Sequence, residues 1–287
     1  MSKLKIDLDN IRFAVFKQIF EDIEATFEHF NVEFYVIGAL ARDMIFSTDT
    51  IETRTTADVD LAIYIEGTEE QYQEIKDHLF DNYGFTQSSE NSFTLISSDQ
   101  HTLDLLPFGK IEVEDGVIVS GEGLVNIKVN GFKEVFEEGL VKLEANDGKI
   151  FSASSLSSII LLKLLAFDDR PEMRGKDPGD VSSIIRHFFD LNASNIYDNH
   201  NDLFADNDGE EDYELEYVSA QVIGREINQV SMQTHELNER IISIIEDHIK
   251  RAERSSFIRS MVGDYCNSID LAVTWLNFIL KGIQRKK

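Results

Sequence analysis

The stretch from Asp58 to Ile65 constrains the possible folds of this chain more than any other part of the sequence. Apolar side chains at positions 59, 61, 63 and 65 alternate with Asp58, Asp60 and two further residues. Because successive side chains of a β-strand point to opposite faces, the alternation predicts a strand with one buried face. Asp58 and Asp60 then stand side by side on the other face. Carboxylate oxygens held this way are suited to Mg²⁺, although the same tripeptide is also typical of a solvated strand start.

Asp104 is a third conspicuous carboxylate. It lies in a predicted strand, residues 102–106, whose other members are mostly leucines. An ionised carboxylate is costly on an apolar strand unless it is paired or bound to a metal ion. We therefore expect Asp58, Asp60 and Asp104 to form a carboxylate triad that holds Mg²⁺.

Gly38 follows a short apolar stretch, residues 32–37, which we predict to be a buried strand leading into a helix. A glycine at such a turn lets backbone N–H groups approach a ligand closely, and the following helix N-terminus favours an anion such as phosphate. A plain strand-to-helix turn is the alternative for a single glycine.

The pattern changes at about Ser154, where short strands give way to helices. Residues 156–167 form an almost wholly apolar helix with Lys163 in its middle, which is typical of an interior helix. The Lys163 amine either reaches water along its stem or projects into a cleft toward phosphates. Asp180 lies in the first turn of the next predicted helix, where the helix dipole favours a carboxylate. Further helices are predicted over residues 213–230, 237–251 and 269–280.

These patterns predict the α+β class, with a mixed-sheet domain over residues 1–150 and an α-helical domain over residues 151–287. The chain has 287 residues, 42% of them hydrophobic, which is enough for two packed units. No apolar run approaches the roughly 20 residues that span a bilayer, so we expect no membrane segment. The single cysteine, Cys266, cannot form an intramolecular disulfide, which suits a cytoplasmic location.

Acidic residues outnumber basic ones by 53 to 27, giving a net charge of -26. Such a surface repels a polyphosphate backbone, so tight binding of long nucleic acid is disfavoured. A small nucleotide is not excluded, because a few cations and Mg²⁺ can reverse the potential inside one cleft.

The order of these motifs resembles the nucleotidyltransferases of the DNA polymerase β superfamily. The residues that carry the resemblance are Gly38-Ala39-Leu40-Ala41-Arg42-Asp43, Arg54-Thr55-Thr56-Ala57-Asp58-Val59-Asp60 and the later Asp104. The helical half is similar to the C-terminal motifs of nucleotidyltransferase toxins of the abortive-infection Eii type. There the matching residues are Lys163-Leu164-Leu165-Ala166, Arg170, Arg174 and Lys176-Asp177-x-x-Asp180.

The resemblance implies a role for each matching residue. The catalytic residues are then Asp58, Asp60 and Asp104, which also hold the metal, together with Lys163 and Asp180. The nucleotide-binding residues are Gly38, Ala39, Arg42, Thr55, Thr56 and Lys176. We expect the helical domain to close the cleft over an NTP.

The leading hypothesis is a Mg²⁺-dependent transfer of a nucleoside monophosphate from an NTP to an acceptor hydroxyl of unknown identity, by a toxin with an antitoxin partner. An antibiotic-modifying enzyme is the alternative within this chemistry, because acidic clefts attract polycationic aminoglycosides. A catalytically silent nucleotidyltransferase-like binding domain is the alternative from another class. It is favoured by Ala39, which stands where the superfamily usually has serine or glycine.

Overall fold

The structure, a computed structural model, describes residues 4–7, 13, 16–47, 51, 58–114, 116–205 and 214–285. The strands in this part of the chain are short apart from two of eight residues each. In chain order they are β1 (Leu4–Ile6), β2 (Phe34–Val36), β3 (Asp58–Ile65), β4 (Thr86–Gln87), β5 (Thr94–Ile96), β6 (Thr102–Gly109), β7 (Gly116–Ile118), β8 (Asn126–Lys128), β9 (Leu140–Ala145) and β10 (Ile150–Ser154).

Helices are interspersed among the strands in the first half of the chain and follow one another in the second half. In chain order they are α1 (Lys17–Phe30), α2 (Gly38–Phe46), α3 (Glu69–Tyr83), α4 (Phe132–Glu138), α5 (Leu156–Asp169), α6 (Asp177–Asn199), α7 (Asp202–Ala205), α8 (Leu215–Ser231), α9 (His235–Arg251), α10 (Ser256–Met261) and α11 (Ile269–Ile283).

The chain divides into two compact units. The first, the sheet unit, comprises Met1–Phe136 and Leu140–Ser154, and the second, the helical unit, comprises Glu137–Gly139 and Ser155–Lys287. The α+β class, with a mixed sheet followed by helices, is confirmed. The domain boundary at residue 150 and the closing of a cleft by the helical domain stay predictions.

The main sheet mixes parallel and antiparallel neighbours. Its strand order over the described residues is β1-β9-β10-β2-β3-β6-β5-β4, and β7 and β8 form a separate pair. β3 lies near the middle of the sheet, antiparallel to β2 and parallel to β6. Parallel neighbours need a crossover connection, and here α3 with the β4–β5 hairpin provides it.

β3 shows the predicted alternation. Val59, Leu61, Ile63 and Ile65 are fully buried, whereas Asp58 is exposed and Asp60 is half-buried. The apolar face anchors the strand in the core of the sheet unit, because removing these side chains from water is favourable by roughly 1.5–3 kcal/mol each. The face that carries the aspartates is left for polar groups.

In the helical unit, α5 is apolar on nearly all sides, as predicted. Ser155 caps this helix, since its hydroxyl accepts a hydrogen bond from the backbone N–H of Ser158 at 3.2 Å. The buried Cys266 lies just before α11, where its thiol donates to the carbonyl oxygen of Ser268 at 3.4 Å. Burial raises the pKa of this thiol. Among the described helices, none combines the length and the apolar composition that a bilayer crossing requires.

Candidate functional site

Asp60 and Asp104 are direct partners across the parallel β3–β6 pair, and Asp58 is the partner of Thr102. Neighbouring strands lie about 4.8 Å apart, and residues in register point to the same face of a sheet. The strand pairing therefore brings the start of β3 and the start of β6 together, with Asp60 and Asp104 half-buried and Asp58 exposed. Backbone hydrogen bonds between β3 and β6 thus bring together residues that are far apart in the sequence.

Thr94 holds the Asp104 carboxylate. The two residues are partners across the antiparallel β5–β6 pair, and the Thr94 hydroxyl donates a hydrogen bond to Asp104 Oδ1. Such a bond fixes the orientation of a carboxylate, as the outer partners of metal ligands do. Sequence reasoning missed Thr94, because the only signal for it was a threonine in a predicted strand whose pairing partner was unknown.

Tyr72 is a second residue near Asp104 that sequence reasoning missed. Its side chain is fully buried, and its hydroxyl donates to the backbone oxygen of Leu105 at 2.9 Å. Burial, with a smaller contribution from the charge of Asp104, raises the pKa of the Tyr72 hydroxyl well above its usual value. Tyr72 therefore stays protonated and donates to the backbone of β6 next to Asp104.

Gly38 lies against Asp60. Its φ of +68° is in the left-handed region that favours glycine, and a Cβ added there would stand 2.5 Å from Asp60 Oδ2. The preceding backbone N–H, that of Ile37, donates to the carbonyl oxygen of Asp60 at 3.0 Å. α2 begins at Gly38, so the turn and the helix N-terminus lie beside Asp60 of β3. The positive φ and the nearby Asp60 carboxylate both favour glycine at this position.

The Arg42 side chain is buried. It is 5% exposed, and its Nη2 lies 2.7 Å from Asp43 Oδ1 in a buried ion pair. Ala39, the other α2 residue expected to contact nucleotide, is half-buried. A phosphate contact for Arg42 stays a prediction, and it requires the guanidinium to serve both a phosphate and Asp43.

Thr55 and Thr56, also expected to contact nucleotide, lie outside the described residues. Across the described ranges, no three or more side chains of His, Cys, Asp or Glu are gathered in a metal-binding arrangement. Asp60 and Asp104 are opposed in register on neighbouring strands, two positions along from Asp58 and Thr102. Their role as metal ligands stays a prediction.

Lys163 of the helical unit forms a buried ion triad. Its Nζ lies 2.6 Å from Asp177 Oδ1 and 2.9 Å from Asp180 Oδ2, and all three side chains are about one-tenth exposed. Burial lowers the pKa of the Lys163 amine, but the charges of the two carboxylates outweigh it and hold the pKa above its ordinary value. The amine therefore neither reaches open water nor stands alone as a cation.

The triad joins α5 to the start of α6. α6 begins at Asp177, with Lys176 as the preceding cap residue and Pro178 within the first turn. Lys176 is exposed, as expected of a residue that contacts a ligand from solution. The catalytic roles predicted for Lys163 and Asp180, and the binding role of Lys176, stay predictions.

The sheet unit thus carries carboxylates on two parallel strands with a glycine turn beside Asp60, and the helical unit by itself carries a lysine–aspartate triad. No protein-family model matches the chain. No curated protein matches it either.

Similarity is found among solved structures. One is described as the solution structure of the antibiotic-resistance factor ANT(2'')-Ia with substrate-regulated conformation dynamics. It is 13% identical, covers 82% of this chain and 94% of that chain, and has a TM-score of 0.35. Another is the crystal structure of ANT(2'')-Ia in complex with adenylyl-2''-tobramycin, at 13% identity, 82% and 97% coverage, and a TM-score of 0.34. Similarity at this level assigns no activity to this chain.

Proposed function

We propose that this protein is a Mg²⁺-dependent nucleotidyltransferase that moves a nucleoside monophosphate from an NTP to an acceptor hydroxyl. The observation that carries the proposal is the register of β3 and β6, which opposes Asp60 to Asp104 beside the glycine turn at Gly38. Chemistry of this kind needs carboxylates for metal and a close backbone approach for phosphate.

The residues present fit a divalent metal in two respects. The donors of Asp58, Asp60 and Asp104 are all carboxylate oxygens, the hard ligands that Mg²⁺ prefers. The Asp60 carboxylate can lie against the turn because Gly38 has no Cβ, which would stand 2.5 Å from Asp60 Oδ2. When bound, Mg²⁺ supplies positive charge that stabilises the phosphates in the transition state.

The side chains and backbone of this chain account for the remaining steps. The N–H groups at the start of α2 receive the phosphates, because Ala39 has no hydroxyl to offer. Asp104, oriented by Thr94, accepts the proton of the acceptor hydroxyl. The acceptor oxygen then forms its bond to the α-phosphorus as the bond to the pyrophosphate oxygen breaks, and pyrophosphate leaves.

The test is transfer from a labelled NTP by Asp60→Asn and Asp104→Asn variants. Both remove a charge and keep the side-chain shape. Because general-base catalysis alone is worth about 10²–10⁴ in rate, each variant should lose at least about a hundredfold in transfer. The matched control is Asp81→Asn, an exposed carboxylate on α3 of the same unit, which should leave transfer unchanged.

Wild-type transfer in both site variants would exclude the proposed chemistry. If calorimetry detects binding of NTP and Mg²⁺ to the wild-type protein but no transfer occurs, a catalytically silent nucleotidyltransferase-like domain is favoured instead.

Two candidate functions remain within this proposal, and they differ in the identity of the acceptor. The motif that runs from Lys163 to Asp180 resembles the motifs of abortive-infection toxins. This resemblance favours a toxin that acts in the cytoplasm on a cellular acceptor and is inhibited by an antitoxin. The net charge of -26 favours a polycationic acceptor such as an aminoglycoside, and hence an antibiotic-modifying enzyme. Growth arrest on expression would support the first, and antibiotic resistance the second.

A further inference from the structure

Lys76 of α3 is a buried cation in the sheet unit that the proposed chemistry does not use. The residue is 2% exposed. Burial lowers the pKa of its amine, whereas the charges of Asp77 and Glu69 act the other way. An ammonium group in such a place is costly unless hydrogen bonds hold it. The contacts of the amine therefore indicate which part of the structure it stabilises.

The Lys76 amine binds the turn between β4 and β5 at two points. Its Nζ donates to Oε1 of Gln87, on β4, at 2.8 Å and to the backbone oxygen of Ser92, in the turn, at 3.2 Å. Because an ammonium group has donors and no acceptor, it can bind the Gln87 side chain only at the carbonyl oxygen. Lys76 thereby fixes the orientation of the Gln87 amide.

The nitrogen of the same amide holds Thr94. Gln87 Nε2 donates to the backbone oxygen of Thr94 at 2.8 Å and to that of Asn91 at 3.0 Å. The Thr94 hydroxyl donates to Asp104 Oδ1 across the β5–β6 pair. These contacts connect the Lys76 amine to the carboxylate of Asp104 through two intervening residues.

Tyr72 gives a second connection to β6. The Lys76 Nζ lies 5.2 Å from the centre of the Tyr72 ring, within the roughly 6 Å of a cation–π contact. The Tyr72 hydroxyl donates to the backbone oxygen of Leu105, the residue that follows Asp104. Lys76 therefore contacts, directly or through Gln87, both of the residues that bind β6 next to the Asp104 carboxylate.

We infer that Lys76 is a positioning residue for Asp104, the proton acceptor of the proposed transfer. It acts by holding the Gln87 amide and, through that amide, Thr94. The inference rests on the proposed function, because it concerns the carboxylate that accepts the proton. A carboxylate held in one orientation needs less reorganisation in the transition state. Loss of Lys76 should therefore lower the rate of transfer rather than the affinity for NTP.

The first test is steady-state transfer from a labelled NTP by Lys76→Met. Methionine keeps an unbranched side chain and removes the donors. Residues that orient the ligands of a metal site typically contribute about 10–100-fold to activity, so kcat should fall at least about tenfold. The KM for NTP should change less than about twofold. The control Lys133→Met, at an exposed lysine of the sheet unit, should leave both constants unchanged, whereas a wild-type kcat in Lys76→Met would overturn the inference.

Gln87→Glu separates positioning from folding stability. The glutamate keeps an oxygen for the Lys76 amine and forms an ion pair with it, but it replaces the donor to the Thr94 carbonyl by an acceptor. Thermal denaturation should therefore show a smaller loss of stability than in Lys76→Met, while kcat falls by a similar factor. A wild-type kcat in Gln87→Glu would assign the effect of Lys76 to folding stability alone and contradict the inference.

A double-mutant cycle with Thr94→Val tests whether Lys76 acts through Thr94. Valine has the shape of threonine without the hydroxyl, so Asp104 loses this donor. In the Thr94→Val background, Lys76→Met should change kcat less than about twofold, because the contact through which it acts is already lost. A full tenfold fall in both backgrounds would show that the two residues act independently, which the inference excludes.

Hydrogen exchange followed by mass spectrometry needs no nucleotide and separates this inference from the proposed function. Amides of residues 86–96 should exchange faster in Lys76→Met than in the wild type, because the β4–β5 turn loses two hydrogen bonds. If the wild type transfers no nucleotide but exchange rises as expected, the proposed function fails and the contact of Lys76 with the turn is retained. If the wild type transfers nucleotide but neither kcat nor exchange changes in Lys76→Met, this inference alone fails.

Discussion

The buried ammonium group of Lys163 forms ion pairs with both Asp177 and Asp180. Moving an ammonium group out of water costs several kcal/mol, and two carboxylates at hydrogen-bond distance offset that cost. The same contacts connect α5 to the first turn of α6. At the scale of single residues, the triad thus stabilises the packing of α5 against the start of α6.

Lys163→Met should destabilise the protein by about 3–5 kcal/mol, because Asp177 and Asp180 then lose the buried ammonium group that they share. Urea denaturation followed by circular dichroism measures the change. The control is Lys250→Met, at an exposed position on α9, which should have little effect.

A triple variant gives the reverse check on the triad. Adding Asp177→Asn and Asp180→Asn to Lys163→Met should restore part of the lost stability, since no unpaired charge remains. If Lys163→Met alone is as stable as the wild type, the triad does not contribute to folding stability.

At the scale of elements, α8 and α11 cross with their backbones in close contact. A Cβ on Gly224 would collide with the backbone oxygen of Ile279 and would lie 2.9 Å from the Cα of Gly282. A Cβ on Gly282 would in turn meet the backbone of Gln221. The two helices approach this closely only because both positions lack side chains.

Gly224→Ala should therefore destabilise the protein by about 1–3 kcal/mol, since the backbone of α11 has to shift to make room. Gly179→Ala is the matched change, because Gly179 also lies in a helix, α6, but has nothing within 4 Å of an added Cβ. There the better helix propensity of alanine should stabilise by up to about 1 kcal/mol. Opposite signs in thermal denaturation would support the crossing, and the same sign would contradict it.

Elements with a regular period could be predicted from the sequence, and contacts between distant elements could not. The period of two at Asp58–Ile65 predicted β3, and the apolar run with Lys163 predicted α5, because both patterns are local. The register that opposes Asp60 to Asp104 joins residues 44 positions apart, the difference between their numbers. Sequence reasoning could name both residues, but no local pattern sets such a pairing.

The same limit explains the residues that sequence reasoning missed. Thr94 contacts Asp104 only because β5 and β6 are neighbours in the sheet. Tyr72 contacts β6 only because α3 packs against that strand. Asp177 lies at the start of α6, which is a local position, whereas its partner Lys163 lies on another helix, α5. The glycines of the α8–α11 crossing likewise have no local signal, because a glycine within a helix is only a weak helix former.

At the scale of the whole molecule, pH acts on the net charge of -26 and on single buried groups in opposite directions. Acidification toward the pI of about 4.5 relieves repulsion among carboxylates. His248 opposes this trend. Burial, with a smaller effect of Arg251, lowers the pKa of the imidazole below its usual 6.5, although Asp247 and Asp168 act the other way.

Because the folded state lowers the pKa of His248, the unfolded chain binds the proton more readily. The contribution of His248 to stability is therefore full above about pH 6.5 and falls as the pH drops through the folded pKa. His248→Phe should keep the contact with the Phe257 ring, whose centroid lies 4.7 Å away, and remove the titration.

The free energy of unfolding, measured by urea denaturation from pH 8 to pH 5, should then fall less in His248→Phe than in the wild type. His235→Phe, at an exposed histidine on α9, is the control and should leave the pH profile unchanged. Identical pH profiles for the wild type and His248→Phe would show that the buried imidazole does not govern the acid side.

The single buried cysteine has a practical consequence for spectroscopy. Thiol reagents attack the thiolate, and burial keeps the Cys266 thiol protonated and shielded. A cysteine introduced at Val113, 69% exposed in the sheet unit, or at Met173, 74% exposed in the helical unit, should therefore react first. A pair of labels at these positions can report the separation of the two units in solution, with and without nucleotide, in a chain whose native cysteine is left in place.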